Sequence, residues 1–122
     1  MDRTVVIKTG GAFICELRLD QLTSLTVPSW RRLCRMMKAY AWLNEDTMRG
    51  IETDLPQRIA AIEEHAREAE FALSEVLAAV GNEPQTLNTR RKISRAREEM
   101  RIQKQNKARL IKFYNIFKEE TT

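Results

Sequence analysis

The sequence predicts a mainly α-helical protein that opens with a short β-hairpin and closes with two long helices. These fold into an antiparallel, coiled-coil-like helical hairpin on a small α+β base. Three observations carry that expectation: alternating apolar residues flank Gly10-Gly11, two long seams recur at steps of three and four, and a Gly-to-Pro break separates the seams. At 122 residues, 43% hydrophobic and 31% charged, the chain fits a single domain, 1–122, and is too apolar to stay disordered.

The hairpin falls within residues 1–20. Thr4 to Lys8 and Phe13 to Leu19 alternate in polarity around Gly10-Gly11. A two-residue loop mixes polar and apolar side chains on both faces. A three-residue loop groups Val5, Ile7, Phe13, Cys15, Leu17 and Leu19 on one face, and a one-residue slip would turn every side chain over. The three-residue loop with a glycine-bearing bulge is therefore expected. Two strands are marginal alone, so the apolar face needs helices beneath it.

Val27-Pro28-Ser29 breaks the chain before an amphipathic helix at 28–43, on which Trp30, Leu33, Cys34, Met37 and Ala41 recur at helical spacing. Arg31, Arg32, Arg35 and Lys38 face the other way. Residues 44–50 carry a weaker helical pattern. Asp54-Leu55-Pro56-Gln57 resembles a helix start, because Asp caps, Pro tolerates the first turn and Gln completes a capping box. An acidic helix at 54–81 follows, with Ile59, Ile62, Ala66, Ala69, Leu73, Val76 and Val80 as its seam. Gly81 and Pro84 stop it. The closing basic helix, 86–118, has the seam Ile93, Ala96, Met100, Gln103, Lys107, Leu110, Tyr114 and Phe117. A short connection makes the two helices antiparallel and returns Phe113 to Phe117 toward Trp30, Trp42 and the hairpin.

Charge is segregated along the chain. The net formal charge of +4 is the sum of +3 over residues 1–50, −6 over 51–84 and +7 over 85–122. No secretory signal follows Met1, and no apolar run approaches a bilayer span, so a cytoplasmic location is expected. Cys15 and Cys34, 19 residues apart and outside any Cys-x-x-Cys pair, read as reduced packing residues rather than a disulfide.

No catalytic signature stands out, and the chain is not expected to be an enzyme. Gly10-Gly11 lacks the spacing of a dinucleotide or phosphate loop, and no cofactor is expected. His65 is the sole histidine and sits among Glu63, Glu64 and Glu68, so a solvated helix face is favoured over a metal site. On the closing helix, Lys92, Arg95 and Lys107 are expected to ion-pair with the acidic helix and fix its register. Arg90, Arg97, Arg101, Lys104 and Lys112 form an off-seam stripe within a sector of about 80° that no acidic neighbour is expected to face. Ordinary solvation and phosphate contact compete as readings of it, and without interleaved aromatics it would not stack single strands. Phe71 falls outside the acidic seam. Packing against another helix, such as 30–42, is favoured there over a contact surface or self-association.

Ser29-Trp30-Arg31-Arg32-Leu33-Cys34 and Ile116-Phe117-Lys118-Glu119, together with the hairpin, resemble small accessory proteins of bacterial phages and prophages. That resemblance implies a bacterial host cell and docking on a host or phage nucleoprotein machine, including defence nucleases. The expected function is thus a non-catalytic accessory protein that binds a protein or nucleoprotein partner. Its most concrete form is an anti-CRISPR-like inhibitor whose acidic face (Glu63, Glu64, Glu68, Glu70 and Glu75) enters a basic channel. The alternatives are a sequence-blind nucleic-acid binder using the basic helix and an oligomeric coiled-coil subunit.

Overall fold

The computed structural model describes residues 4–11, 14–81 and 86–122. Strands β1 (Thr4–Lys8) and β2 (Ile14–Arg18) lead into a 3₁₀ helix (Leu19–Ser24), then α1 (Val27–Ala39), α2 (Ala41–Val80) and α3 (Leu87–Thr121). The chain divides into two compact units, residues 1–57 with 109–122, and residues 58–108. Among the described residues no helix is long and apolar enough to cross a membrane.

The hairpin has the expected parity: Val5 pairs with Leu17 and Ile7 with Cys15, antiparallel. Val5 and Ile7 are buried, and Cys15 and Leu17 half-buried. Phe13 and the second half of the loop lie outside the described residues. The glycine-bearing bulge is corrected in part: Gly81 is the only described glycine with a positive φ. Gly10 serves close packing instead, since a Cβ there would come 2.7 Å from Tyr40 Cε1.

α2 closes the free edge of β1. Asn44, fully buried, accepts from the Lys8 N–H at 2.7 Å and donates to the Lys8 carbonyl at 2.8 Å. Thr47 donates to the Val6 carbonyl at 2.6 Å. Side chains of a helix thus take the place of a third strand and satisfy backbone groups that would otherwise be unpaired. Leu19 does not extend β2 but turns into the 3₁₀ helix, burying itself and Leu22.

α1 begins at Val27, one residue before the expected start, because the Thr26 side chain accepts from the Ser29 N–H at 3.3 Å. It stops at Tyr40, short of the expected residue 43. Trp30, Cys34 and Met37 form its buried stripe. The Trp30 indole stacks on Phe113, centroids 5.8 Å apart, and its Nε1–H donates to the Phe113 carbonyl at 2.8 Å. Phe113, Ile116 and Phe117 are buried in this unit as expected, whereas Trp42 is 67% exposed and only leans on Tyr40 at 5.6 Å.

The helix start expected at Asp54 is a correction. α2 runs unbroken for 40 residues from Ala41 to Val80, with Pro56 inside it. A proline in a helix interior loses one backbone hydrogen bond and costs about 3 kcal/mol. Ile51 and Leu55, both in the turns just before it, are fully buried, and each such side chain contributes roughly 1.5–3 kcal/mol, together enough to offset the defect. α2 ends where expected: Gly81 adopts φ +47° and its N–H donates to the Leu77 carbonyl at 3.2 Å. The Thr86 side chain accepts from the Thr89 N–H at 3.2 Å and starts α3, which runs three residues past the expected Lys118.

In the second unit α2 and α3 form an antiparallel helical hairpin. Glu63 lies 3.7 Å from Lys107, while Val76 and Val80 share a groove with Thr89 and Lys92, so one number falls as the other rises. Every seam residue expected in this unit is buried or half-buried, with Ala66, Ala69 and Ile93 the most deeply enclosed. Small alanines allow close approach; Gln103 and Lys107 make the middle polar.

Candidate functional site

Two surfaces of the second unit carry the residues singled out by the sequence. The first is the outer face of α2. Phe71 is 66% exposed, so no helix covers it and the intramolecular packing expected for it is corrected. The reason is periodicity: the seam uses Ala69 and Leu73, and residue 71 points about 160–200° from them. Glu64, Glu68 and Glu75 fall within about 60° of Phe71 along the same exposed face. Glu64 accepts from Arg67 at 2.7 Å, raising the affinity of that guanidinium for its proton, while Glu68 and Glu75 have no ion pair among the described residues. Glu63 and Glu70 are not part of this face. They lie about 80–100° round the helix, and Glu63 reaches Lys107 across the seam. His65 is exposed, and no group of three His, Cys, Asp or Glu side chains among the described residues could hold a metal ion.

The second surface is a flank of α3. Arg90, Arg97 and Arg101 line a groove of about 470 Å³ with Leu77, Ile93, Ser94 and Glu98. Leu77, 43% exposed, is the contribution of α2. Arg101 donates to Glu98 through Nε at 3.0 Å and also through Nη2, which lowers the Glu98 pKa and raises that of Arg101. The expectation that no acidic neighbour faces the stripe is therefore corrected at Arg101, whose carboxylate partner comes from its own helix three residues earlier. Arg90, Arg97 and Lys104 are exposed without an ion pair among the described residues. Lys112 is also exposed and belongs to the other unit.

Of the three cations expected to bind the acidic helix, only Lys107 does so. Lys92 and Arg95 have no ion pair among the described residues, which corrects that expectation. The residues sharing a groove with Lys92 are mostly Val76, Ala79 and Val80, and Glu75 stays beyond ion-pair reach. Opposite charge on the two helices is thus largely unspent on mutual pairing.

The basic face of α1, in the first unit, has a different fate. Arg31 and Arg35 clasp Glu120 at 2.7 and 3.0 Å, Glu119 approaches Arg31 at 3.6 Å, and Lys38 donates to the Thr122 carbonyl. Hydrogen bonds from Arg35 and Arg31 lower the Glu120 pKa. Arg109 is likewise committed, donating to the Thr23 and Leu25 carbonyls at 2.6 and 2.8 Å while its guanidinium lies 5.3 Å over Phe113. Both cysteines are free thiols; burial, with the nearby Glu120 carboxylate, pushes Cys34 up to about 12.

No family model, curated protein or solved structure matches the chain. The site residues therefore stand on geometry. Leu77 and Arg109 carried no special weight in the sequence. An apolar residue off the seam marks Leu77, whereas nothing local tells the clamp Arg109 from its solvated neighbours.

Proposed function

We propose that the protein is a non-catalytic accessory protein that docks on a basic surface of a protein partner through the outer face of α2. The observation that carries this reading is Phe71, a large ring left two-thirds open beside an acidic stripe. An exposed aromatic flanked by carboxylates has the anatomy of an interface hot spot: the ring supplies desolvation energy, and the charges supply orientation and on-rate. Glu68 and Glu75, free of internal ion pairs among the described residues, are available to cations on a partner. Carboxylates repeated along a rigid helix imitate the spaced negative charge of a nucleic-acid strand. The most concrete form of the proposal is therefore an inhibitor of a host nucleic-acid-targeting defence complex, consistent with the resemblance to phage accessory proteins.

The test is capture from nuclease-treated bacterial lysate by the immobilised protein, comparing the parent with Phe71→Ala and with Glu64→Lys/Glu68→Lys/Glu75→Lys. A hot-spot ring contributes about 2 kcal/mol, so Phe71→Ala should weaken the captured partner's binding roughly thirtyfold. All the replaced residues are exposed, so helicity by circular dichroism should stay at the parent level. Equal retention of the partner by these folded variants would sink the proposal.

A further inference from the structure

We infer that the α3 flank carrying Arg90, Arg97 and Lys104 binds the phosphate backbone of a nucleic-acid duplex. The inference is independent of the docking role given to α2, since the two surfaces share no residue. It begins with unspent charge. Between residues 87 and 108, α3 holds eight Lys/Arg against Glu98 and Glu99, a net of +6. The facing stretch of α2, 58–81, holds Arg58 and Arg67 against five glutamates, a net of −3. If those charges neutralised each other across the seam, the stripe would be structural. Glu63–Lys107 joins the two helices, whereas Arg90, Arg97 and Lys104 have no ion pair among the described residues.

Geometry adds to charge. Arg90, Arg97 and Lys104 are spaced one heptad apart, so the cations repeat every ~10 Å along a straight face about 21 Å long. Arg101 stands beside them but is held by Glu98. The helix presents these cations with no further backbone ordering cost. Leu77, Ile93 and Ser94 make part of the groove beside Arg90 and Arg97 uncharged, and Glu98, which also lines it, is paired with Arg101, so a sugar-phosphate chain can approach. A duplex fits better than a single strand because single-strand binders need rings on which bases stack. α3 carries no aromatic residue between 87 and 108, and Phe71 lies about 120° round α2 from Leu77. Among the described residues nothing holds the Arg90 and Arg97 guanidinium groups in a fixed orientation toward base edges, so the phosphates are the contact the row is built for.

The experiment is fluorescence anisotropy with labelled DNA and RNA duplexes of about 20 base pairs, and the matching single strands, at about 50 and 200 mM NaCl. Contact by three cations predicts a log–log salt slope near −2.7, a weakening of about fortyfold between those salt concentrations. Arg90→Gln/Arg97→Gln/Lys104→Gln should weaken duplex binding more than about tenfold and flatten the slope. Arg91→Gln/Lys92→Gln/Arg95→Gln removes the same charge from other faces of α3 and should cost less than about threefold. Binding of either duplex in this pattern supports the inference, and the tighter one names the source. Three results would overturn it: no duplex binding at the lower salt, equal losses in both triple variants, or single strands bound more tightly than duplexes. The salt slope of the parent protein gives a reading even if a variant folds poorly.

Discussion

Trp30 is the residue on which the first unit turns. Its ring is fully buried against Phe113, and its Nε1–H reaches a carbonyl that is itself inside α3. Both halves of this amphipathic side chain are therefore used, the face for area and the edge for a hydrogen bond. Trp30→Phe keeps much of the stacking but leaves the Phe113 carbonyl without its side-chain donor. Thermal or urea unfolding should show a loss of about 1–3 kcal/mol, whereas Trp30→Ala should cost about 3–5 kcal/mol. If Trp30→Phe is neutral, the hydrogen bond contributes nothing net and packing alone holds α1 to α3. Asn44 follows the same logic with polar atoms, because a buried amide survives where every donor and acceptor meets a partner.

At the scale of the element, α2 shows tertiary packing overriding local chemistry. Asp54, Pro56 and Gln57 have the chemistry of a helix start, yet the helix passes straight through them. Removing the defect gives a measurable consequence. Pro56→Ala restores a backbone N–H within reach of the Glu52 carbonyl and relieves the ring clash. It should therefore raise unfolding stability by as much as about 3 kcal/mol. A loss instead would show that the first unit is built around the bend a proline imposes. The seam of the helical hairpin is the opposite case. Its steps of three and four in the sequence became the enclosed positions without exception, because periodicity alone decides which side of a helix two helices can share.

For the molecule as a whole, the units differ in how they are enclosed. Trp30, Phe113, Phe117, Ile7, Leu22, Met37, Ile51 and Leu55 are fully buried and all belong to the first. The second is closed mainly by Ala66, Ala69 and Ile93, with a polar centre at Gln103 and Lys107. Less apolar area buried means a smaller free energy of local opening. Native-state hydrogen exchange should accordingly show amides of residues 58–80 and 90–108 exchanging at least about tenfold faster than those of 30–37 and 110–117. Equal protection throughout would mean the two units unfold as one cooperative body.

The sequence by itself determined the hairpin parity, the two seams, the stop at Gly81 and the segregation of charge. Each depends on spacing along the chain or on a single residue's backbone preference, and neither needs a distant partner. Only the tertiary structure decided that α2 is continuous through Pro56, that Trp42 faces outward, that no other helix covers Phe71, and which cations are spoken for. Arg31, Arg35 and Arg109 find their partners 84 to 89 residues away, while Arg90, Arg97 and Lys104 find none among the described residues. A charge on a helix looks the same in sequence whether or not a carboxylate or carbonyl is folded against it, so that distinction exists only in three dimensions.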